Sequence, residues 1–141
     1  LNPRAVLGLG DGGAHCGVIC DASLPTFMLS HWARDRSRGP TLPLEWVIKR
    51  MTADTAKLYG LMDRGYLKPG YKADVNVFDA AKVQLRRPEM VHDLPAGARR
   101  LIQKSDGYIA TLVSGQVVMD KGQQTDARPG GLIRGAKSAP K

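Results

Sequence analysis

The sequence predicts an α+β fold in which an opening strand and helices come first and short strands follow. Three observations carry this expectation. Leu24, Phe27, Met28, His31 and Trp32 recur at i, i+3, i+4, i+7 and i+8, one face of a helix. The run Ala73-Asp74-Val75-Asn76-Val77-Phe78 alternates as a half-buried strand does. Ile109 to Val113 and Gln116 to Met119 flank Ser114-Gly115, the two-residue connection of a hairpin.

Taken in order, Ala5 to Gly10 is a short apolar run of small and branched residues and reads as a buried strand. A loop follows to about Ser23, which is placed to cap a helix over Leu24 to Arg36, with Pro25 in the first turn. Arg34, Arg36 and Arg38 suit that helix's negative end, and Gly39-Pro40 stops it. Leu44, Val47, Ile48 and Met51 form the apolar face of a second helix. Thr52 is expected to cap a third helix, Ala53 to Tyr59, ended by Gly60. Pro69-Gly70 is a tight turn before the first strand, and Val83 and Leu85 are expected to extend or pair with it. Pro88 to Gly97 reads as irregular, and the Gly-, Pro- and base-rich stretch Arg128 to Lys141 is expected to fray.

Composition narrows the function classes. The 141 residues suffice for one core, and no run of eighteen apolar residues spells a membrane span. Because the chain opens at Leu1, beside a strand and without Met, it is read as a fragment, so the lack of a visible signal peptide says little. The net charge is +8. The bases fall in scattered groups, Arg34/Arg36/Arg38, Arg86-Arg87 and Arg99-Arg100, without interleaved aromatics. That pattern argues against a nucleic-acid surface and for a solvated face whose acidic complement lies in missing residues. Cys16 and Cys20 make no disulfide framework and suit a reduced, cytoplasmic protein. The sequence holds no Gly-x4-Gly-Lys-[Ser/Thr] phosphate loop.

The chemistry concentrates at Asp11. A carboxylate at a strand's carboxyl end, on the glycine-rich turn Gly10-Asp11-Gly12-Gly13, is where a barrel enzyme keeps a catalytic acid or base. The plain alternative is a surface Asp-Gly turn. His15, four residues on, is read either as a substrate contact or as a loop histidine. His15, Cys16 and Cys20 lack a fourth ligand for zinc. His31 is expected to be a satisfied core residue and Asp21 a loop-holding one. Arg64 is expected to pair with a carboxylate or cap a helix end, and Asp74 to fix the turn before its strand. Trp32 and Trp46 are core or interface anchors, with the interface favoured for Trp46.

Several segments together resemble the carboxyl-terminal part of the D-aminoacylase (N-acyl-D-amino-acid deacylase) branch of the amidohydrolase superfamily. They are Leu9-Gly10-Asp11-Gly12-Gly13-Ala14-His15, Leu42-Pro43-Leu44-Glu45 with Lys49-Arg50-Met51-Thr52, and Asp93-Leu94-Pro95-Ala96-Gly97. The sharpest is Gly60-Leu61-Met62-Asp63-Arg64-Gly65-Tyr66-Leu67-Lys68-Pro69-Gly70-Tyr71-Lys72-Ala73-Asp74-Val75, which contains the pattern Gly-x-Leu-x-Pro-Gly-x-x-Ala-Asp, and the Val113-Ser114-Gly115 hairpin belongs to the same resemblance. The resemblance implies the last strand and helices of a (β/α)8 barrel over 1–60, strands of a small β-sandwich over 61–127, and a flexible basic tail over 128–141. It implies a zinc-dependent hydrolase of the amide bond in N-acyl (D-)amino acids or related amides. Asp11 would match the strand-eight aspartate that faces the metal and serves as base, with His15 toward the substrate. Gly10 stands where that branch carries Ser. The branch's His-x-His ligands do not occur among His15, His31 and His92, so they are expected upstream of Leu1 and the fragment alone is expected to be inactive. The implied partner is a small acylated amino acid, with neither nucleic acid nor membrane. Apolar helix faces left without barrel strands are expected to drive self-association. The alternative reading is a non-catalytic, β-rich structural or oligomerisation module.

Overall fold

The structure is a computed structural model that describes residues 2, 4–8, 10 and 21–141, with Asp21 described in its backbone alone. Two compact units interleave along the chain. Leu1–Leu7, Pro43–Asp79 and Tyr108–Lys141 form the first, and Gly8–Leu42 with Ala80–Gly107 the second.

In the second unit a 3-10 turn, Asp21–Ser23, leads into α1, Leu24–Phe27, which a π-helix, Met28–Asp35, continues without a break. The lead-in gives Ser23 helical dihedrals, φ −78° and ψ −6°, so its hydroxyl does not act as the expected cap. The widening from α to π has a local cause. Ser30 Oγ donates to Thr26 O at 3.0 Å, competing for a helix acceptor and loosening the ladder. Arg36 N then bonds His31 O at 2.8 Å, five residues back.

The buried face of this helix is not the predicted stripe. Thr26, Leu29 and Ser30 are buried, whereas Leu24 and Phe27 are exposed. Two small hydroxyl residues, one bonded to the other's carbonyl, are buried in a helix that contacts the short strand β2, Gln84–Leu85. β2 pairs with β5, Ser105–Asp106, and not with the Val75–Phe78 strand as expected. Nor is the stretch after Pro88 wholly irregular. Glu89–Val91 forms β3, antiparallel to β4, Arg100–Ile102, around a loop pinned by the Asp93–Arg100 ion pair at 2.7 Å. The unit's core holds Leu29 and Val83.

The first unit joins two helices to a sheet. α2, Leu44–Met51, opens behind Pro43 and buries Val47 completely, on the predicted face. Glu45 in its first turn and Lys49 and Arg50 in its last complement the helix dipole. Thr52 does not cap α3, Ala53–Leu58, with its hydroxyl. That hydroxyl donates backwards to Ile48 O at 2.7 Å and closes α2, while the Thr52 carbonyl takes Ala56 N at 2.9 Å. Gly60, at φ +69°, ends α3.

The sheet runs β1-β6-β7-β8, all antiparallel. Its strands are β1, Val75–Phe78, β6, Tyr108–Val113, β7, Gln116–Asp120, and β8, Gln123–Gln124. The predicted hairpin is β6–β7, with Ser114 at φ +50° and Gly115 at φ +78°, the double positive φ of a type I′ turn. The tail is tied more than its composition suggests. Met62 N bonds Lys137 O at 3.0 Å and Lys137 N bonds Gly60 O at 2.8 Å.

The expected opening strand has no ladder. None of Ala5 to Gly8 or Gly10 lies in a strand. A strand exists through its neighbours, and no strand among the described residues pairs with this run. Among the described residues no helix is long and apolar enough to cross a membrane.

Candidate functional site

Asp11 and His15, the residues singled out for catalysis, metal and substrate, lie outside the described residues, as do Cys16 and Cys20. Among the described residues no three His, Cys, Asp or Glu side chains come together in a way that would hold a metal ion. Those residues alone therefore do not fit a zinc centre. What the structure does show is how the segments on either side of residues 11–20 are held.

On the amino-terminal side the anchor is Arg50. Its Nη1 donates to Ala5 O at 3.0 Å and stands 3.2 Å from Asp54 Oδ2, while its guanidinium lies over the Trp46 ring at 5.0 Å. Trp46, Arg50 and Asp54 follow at intervals of four, the spacing that brings side chains together along a helical path. A hydrogen bond from the Lys49 ammonium holds the Asp54 carboxyl below the usual carboxylate range, against the opposing effect of burial, and the charges of Lys49, Arg50 and Lys57 add to it. The sequence reading did not single out this cluster; the four-residue spacing was the available signal. Trp46, expected at an interface, is half-buried beneath Arg50.

On the carboxyl-terminal side, His31 stacks on Phe27 at 4.8 Å and meets Trp32 edge-on at 5.5 Å. Arg36 covers the Trp32 ring at 4.7 Å. His31 is half-buried in this aromatic ladder and so is not the core residue expected.

The segment Gly65 to Asp74, within the stretch Gly60 to Val75 that carries the sharpest family resemblance, is held as a clasp. Gly65 has φ +87°, and a Cβ there would lie 2.9 Å from Ala53 Cα. Gly70 has φ +84°, and a Cβ would lie 2.9 Å from the Pro140 side chain. Asp74 Oδ1 accepts Ser114 N at 2.8 Å and so holds the hairpin turn, as expected of it. Arg64 forks onto Asp63, with Nε to Oδ1 at 2.9 Å, and stands 3.7 Å from Asp74 Oδ2. The scattered bases also find partners inside the chain. Arg86 Nε donates to Asp106 at 2.9 and 3.0 Å, and Arg100 forks onto Asp93.

Comparison with known proteins sets these segments in a family. The amidohydrolase family model matches residues 2–119. N-acyl-D-aspartate deacylase of Alcaligenes xylosoxydans xylosoxydans is 38% identical over 100 residues, 70% of this chain and 18% of that protein. D-aminoacylase of the same organism is 46% identical over 56 residues, 40% of this chain and 11% of that protein. The 5-methylthioadenosine/S-adenosylhomocysteine deaminase of Pelotomaculum thermopropionicum is 33% identical over 126 residues, 87% of this chain and 28% of that protein. The chain thus spans less than a third of each relative. The crystal structure of D-aminoacylase matches with a TM-score of 0.55 at 30% identity, over 73% of this chain and 19% of that one. Fold and sequence agree that the chain belongs to the amidohydrolase family.

Proposed function

We propose that the chain is the carboxyl-terminal part of a zinc-dependent amidohydrolase that cleaves the amide of an N-acyl (D-)amino acid or a related small amide. The observation that carries this reading is the 38% identity over 100 residues to a deacylase named for an N-acyl-D-amino acid. On this reading residues 1–60 end the catalytic barrel, 61–127 contribute to a β-sandwich, and the 128–141 tail is peripheral. The protein works in the cytoplasm on a small molecule, without nucleic acid or membrane, and associates with itself through exposed apolar helix faces.

An amide carbonyl is a poor electrophile, and bound zinc would polarise it and bring a water's pKa toward about 7. Asp11 acts as the base. It takes a proton from the attacking water and returns it to the departing amine, which one carboxylate does if it stays within hydrogen-bond reach of both. His15 contacts the substrate from the same loop. No His-x-His pair occurs in the 141 residues, so the remaining ligands come from elsewhere in a longer protein.

The test has two arms. In a complete enzyme carrying this sequence, Asp11→Asn is expected to lower kcat on N-acyl-D-amino acids by about 10²- to 10⁴-fold. Unchanged kcat refutes the assignment. The 141-residue chain alone is expected to bind no stoichiometric zinc and release no free amino acid; either property overturns the fragment reading. The similarity to a deaminase over 87% of this chain favours a second reading, hydrolytic deamination. Ammonia release from a purine nucleoside in the same assay, without acyl-amino-acid cleavage, would select it.

A further inference from the structure

We propose that the surface formed by Gly60, Met62 and Gly70 is a docking site for an extended peptide, occupied by the chain's own carboxyl-terminal segment, Gly135 to Lys141. Both belong to the first unit. Lys137 lies in a parallel bridge with Leu61, its N–H donating to Gly60 O at 2.8 Å and its carbonyl accepting from Met62 N at 3.0 Å. A Cβ on Gly60 would lie 3.2 Å from Ala136 Cβ, and one on Gly70 would lie 2.9 Å from Pro140 Cβ. At both glycines the atoms nearest the would-be Cβ belong to the tail alone. Gly122 and Gly135 also have positive φ, yet nothing stands within 4 Å of theirs, so the crowding at Gly60 and Gly70 is not a by-product of turn geometry. A hydrogen bond from Arg64 holds the Asp63 carboxyl below its ordinary value, and the Lys137 charge adds a smaller part. This is strand addition in miniature, in which main-chain bonds supply affinity and the shape of the surface selects the segment.

The surroundings of these contacts mark the segment as docked rather than packed. Residues 130–136 are exposed and lie in no strand or helix, and beyond them only Lys137 and Pro140 are half-buried. The segment joins none of the strands of the β1-β6-β7-β8 sheet. The family model matches residues 2–119, so the segment lies outside what that model describes. A contact of two main-chain bonds can open locally while the rest of the unit stays folded.

The test follows amide hydrogen exchange in the 141-residue chain. Lys137→Pro removes the donor to Gly60 O and is expected to speed exchange of the Met62 amide about tenfold while β6 and β7 keep their protection. Lys137→Ala keeps both main-chain bonds and should leave Met62 within about threefold of the parent. A free peptide of sequence Gly135 to Lys141, acetylated at its amino end, should restore Met62 protection when added to the proline variant. The same peptide carrying Lys137→Pro should not. A short flexible tether sets an effective concentration in the millimolar range, so half-restoration is expected at about 0.1–1 mM peptide. Met62 exchange that Lys137→Pro leaves unchanged overturns the proposal. So does an equal loss of protection through β6 and β7, which makes the tail an integral part of the fold. Failure of the free peptide to restore Met62 at about 10 mM overturns it as well.

Discussion

Gly107 gives the sharpest physical test of the fold. It has φ +86°, and a Cβ added there would lie 2.5 Å from both Val83 Cα and Val83 N, and 2.7 Å from the Lys82 carbonyl carbon. All three are backbone atoms, so no side-chain rotation relieves the overlap. Val83 is 1% exposed, so the backbone it belongs to is locked by its own burial. In Gly107→Ala two costs add. Forcing an L-residue into the left-handed region costs about 1–2 kcal/mol. Overpacking against a fixed wall costs about 1–3 kcal/mol. The sum is about 2–5 kcal/mol, a large share of a small domain's stability. Gly97→Ala separates the two terms. Gly97 lies in the same unit at φ +71°, and nothing stands within 4 Å of its would-be Cβ. It should lose only the backbone share. The assay is urea unfolding followed by Trp32 fluorescence in a Trp46→Phe background, so that the signal comes from the unit containing both glycines. Equal midpoints for the two variants would refute the claim that the Lys82–Val83 backbone sets the identity of residue 107.

Two further outcomes follow from the same geometry. Asp74→Ala removes the acceptor of Ser114 N and is expected to cost about 1–2 kcal/mol; an unfolding midpoint equal to the parent's would show that the hairpin holds its turn unaided. Stability should also fall in acid. Hydrogen bonds from Arg64, Arg100 and Arg86 hold the Asp63, Asp93 and Asp106 carboxyls below their ordinary value. With folded pKa values below the unfolded value of about 3.9, the unfolded chain binds protons first, so these pairs stabilise fully above that pH and lose their effect as pH falls through the folded values. A urea midpoint that does not move between pH 5 and pH 3 would remove these pairs from the account of stability.

The elements with strong local signals were legible. The hairpin was, because Ser114-Gly115 leaves a two-residue connection little choice but positive φ at both positions. So was the Val47 face of α2, where four apolar residues share one side. Periodicity misled at the first helix. It ranks Leu24 and Phe27 above Thr26 and Ser30, yet the small hydroxyl residues are buried because one satisfies its polar atom on the other's carbonyl. The pairing of β2 with β5, twenty residues apart, depends on Gly107 admitting Val83 and on Arg86 meeting Asp106, neither of which leaves a periodic trace. The opening run read as a strand from composition alone, whereas a strand also needs a neighbour.

Family membership and chemistry are written in different residues of this chain. The constraints on the Gly65–Asp74 segment, part of the stretch that resembles the family in sequence, are steric. Two positions require positive φ with no room for a Cβ, and one carboxylate must reach a hairpin amide. Such requirements admit few residue types, but they say nothing about which bond is cleaved. A general base has the opposite character. An aspartate among glycines, as at Asp11, is a common sequence pattern whose meaning comes from what faces it. Variants along the clasp should therefore change stability without changing the ratio of amide hydrolysis to deamination in a complete enzyme, whereas Asp11→Asn should lower kcat by about 10²- to 10⁴-fold at unchanged stability. A clasp variant that altered the reaction ratio would mean that ancestry and chemistry are not separable here.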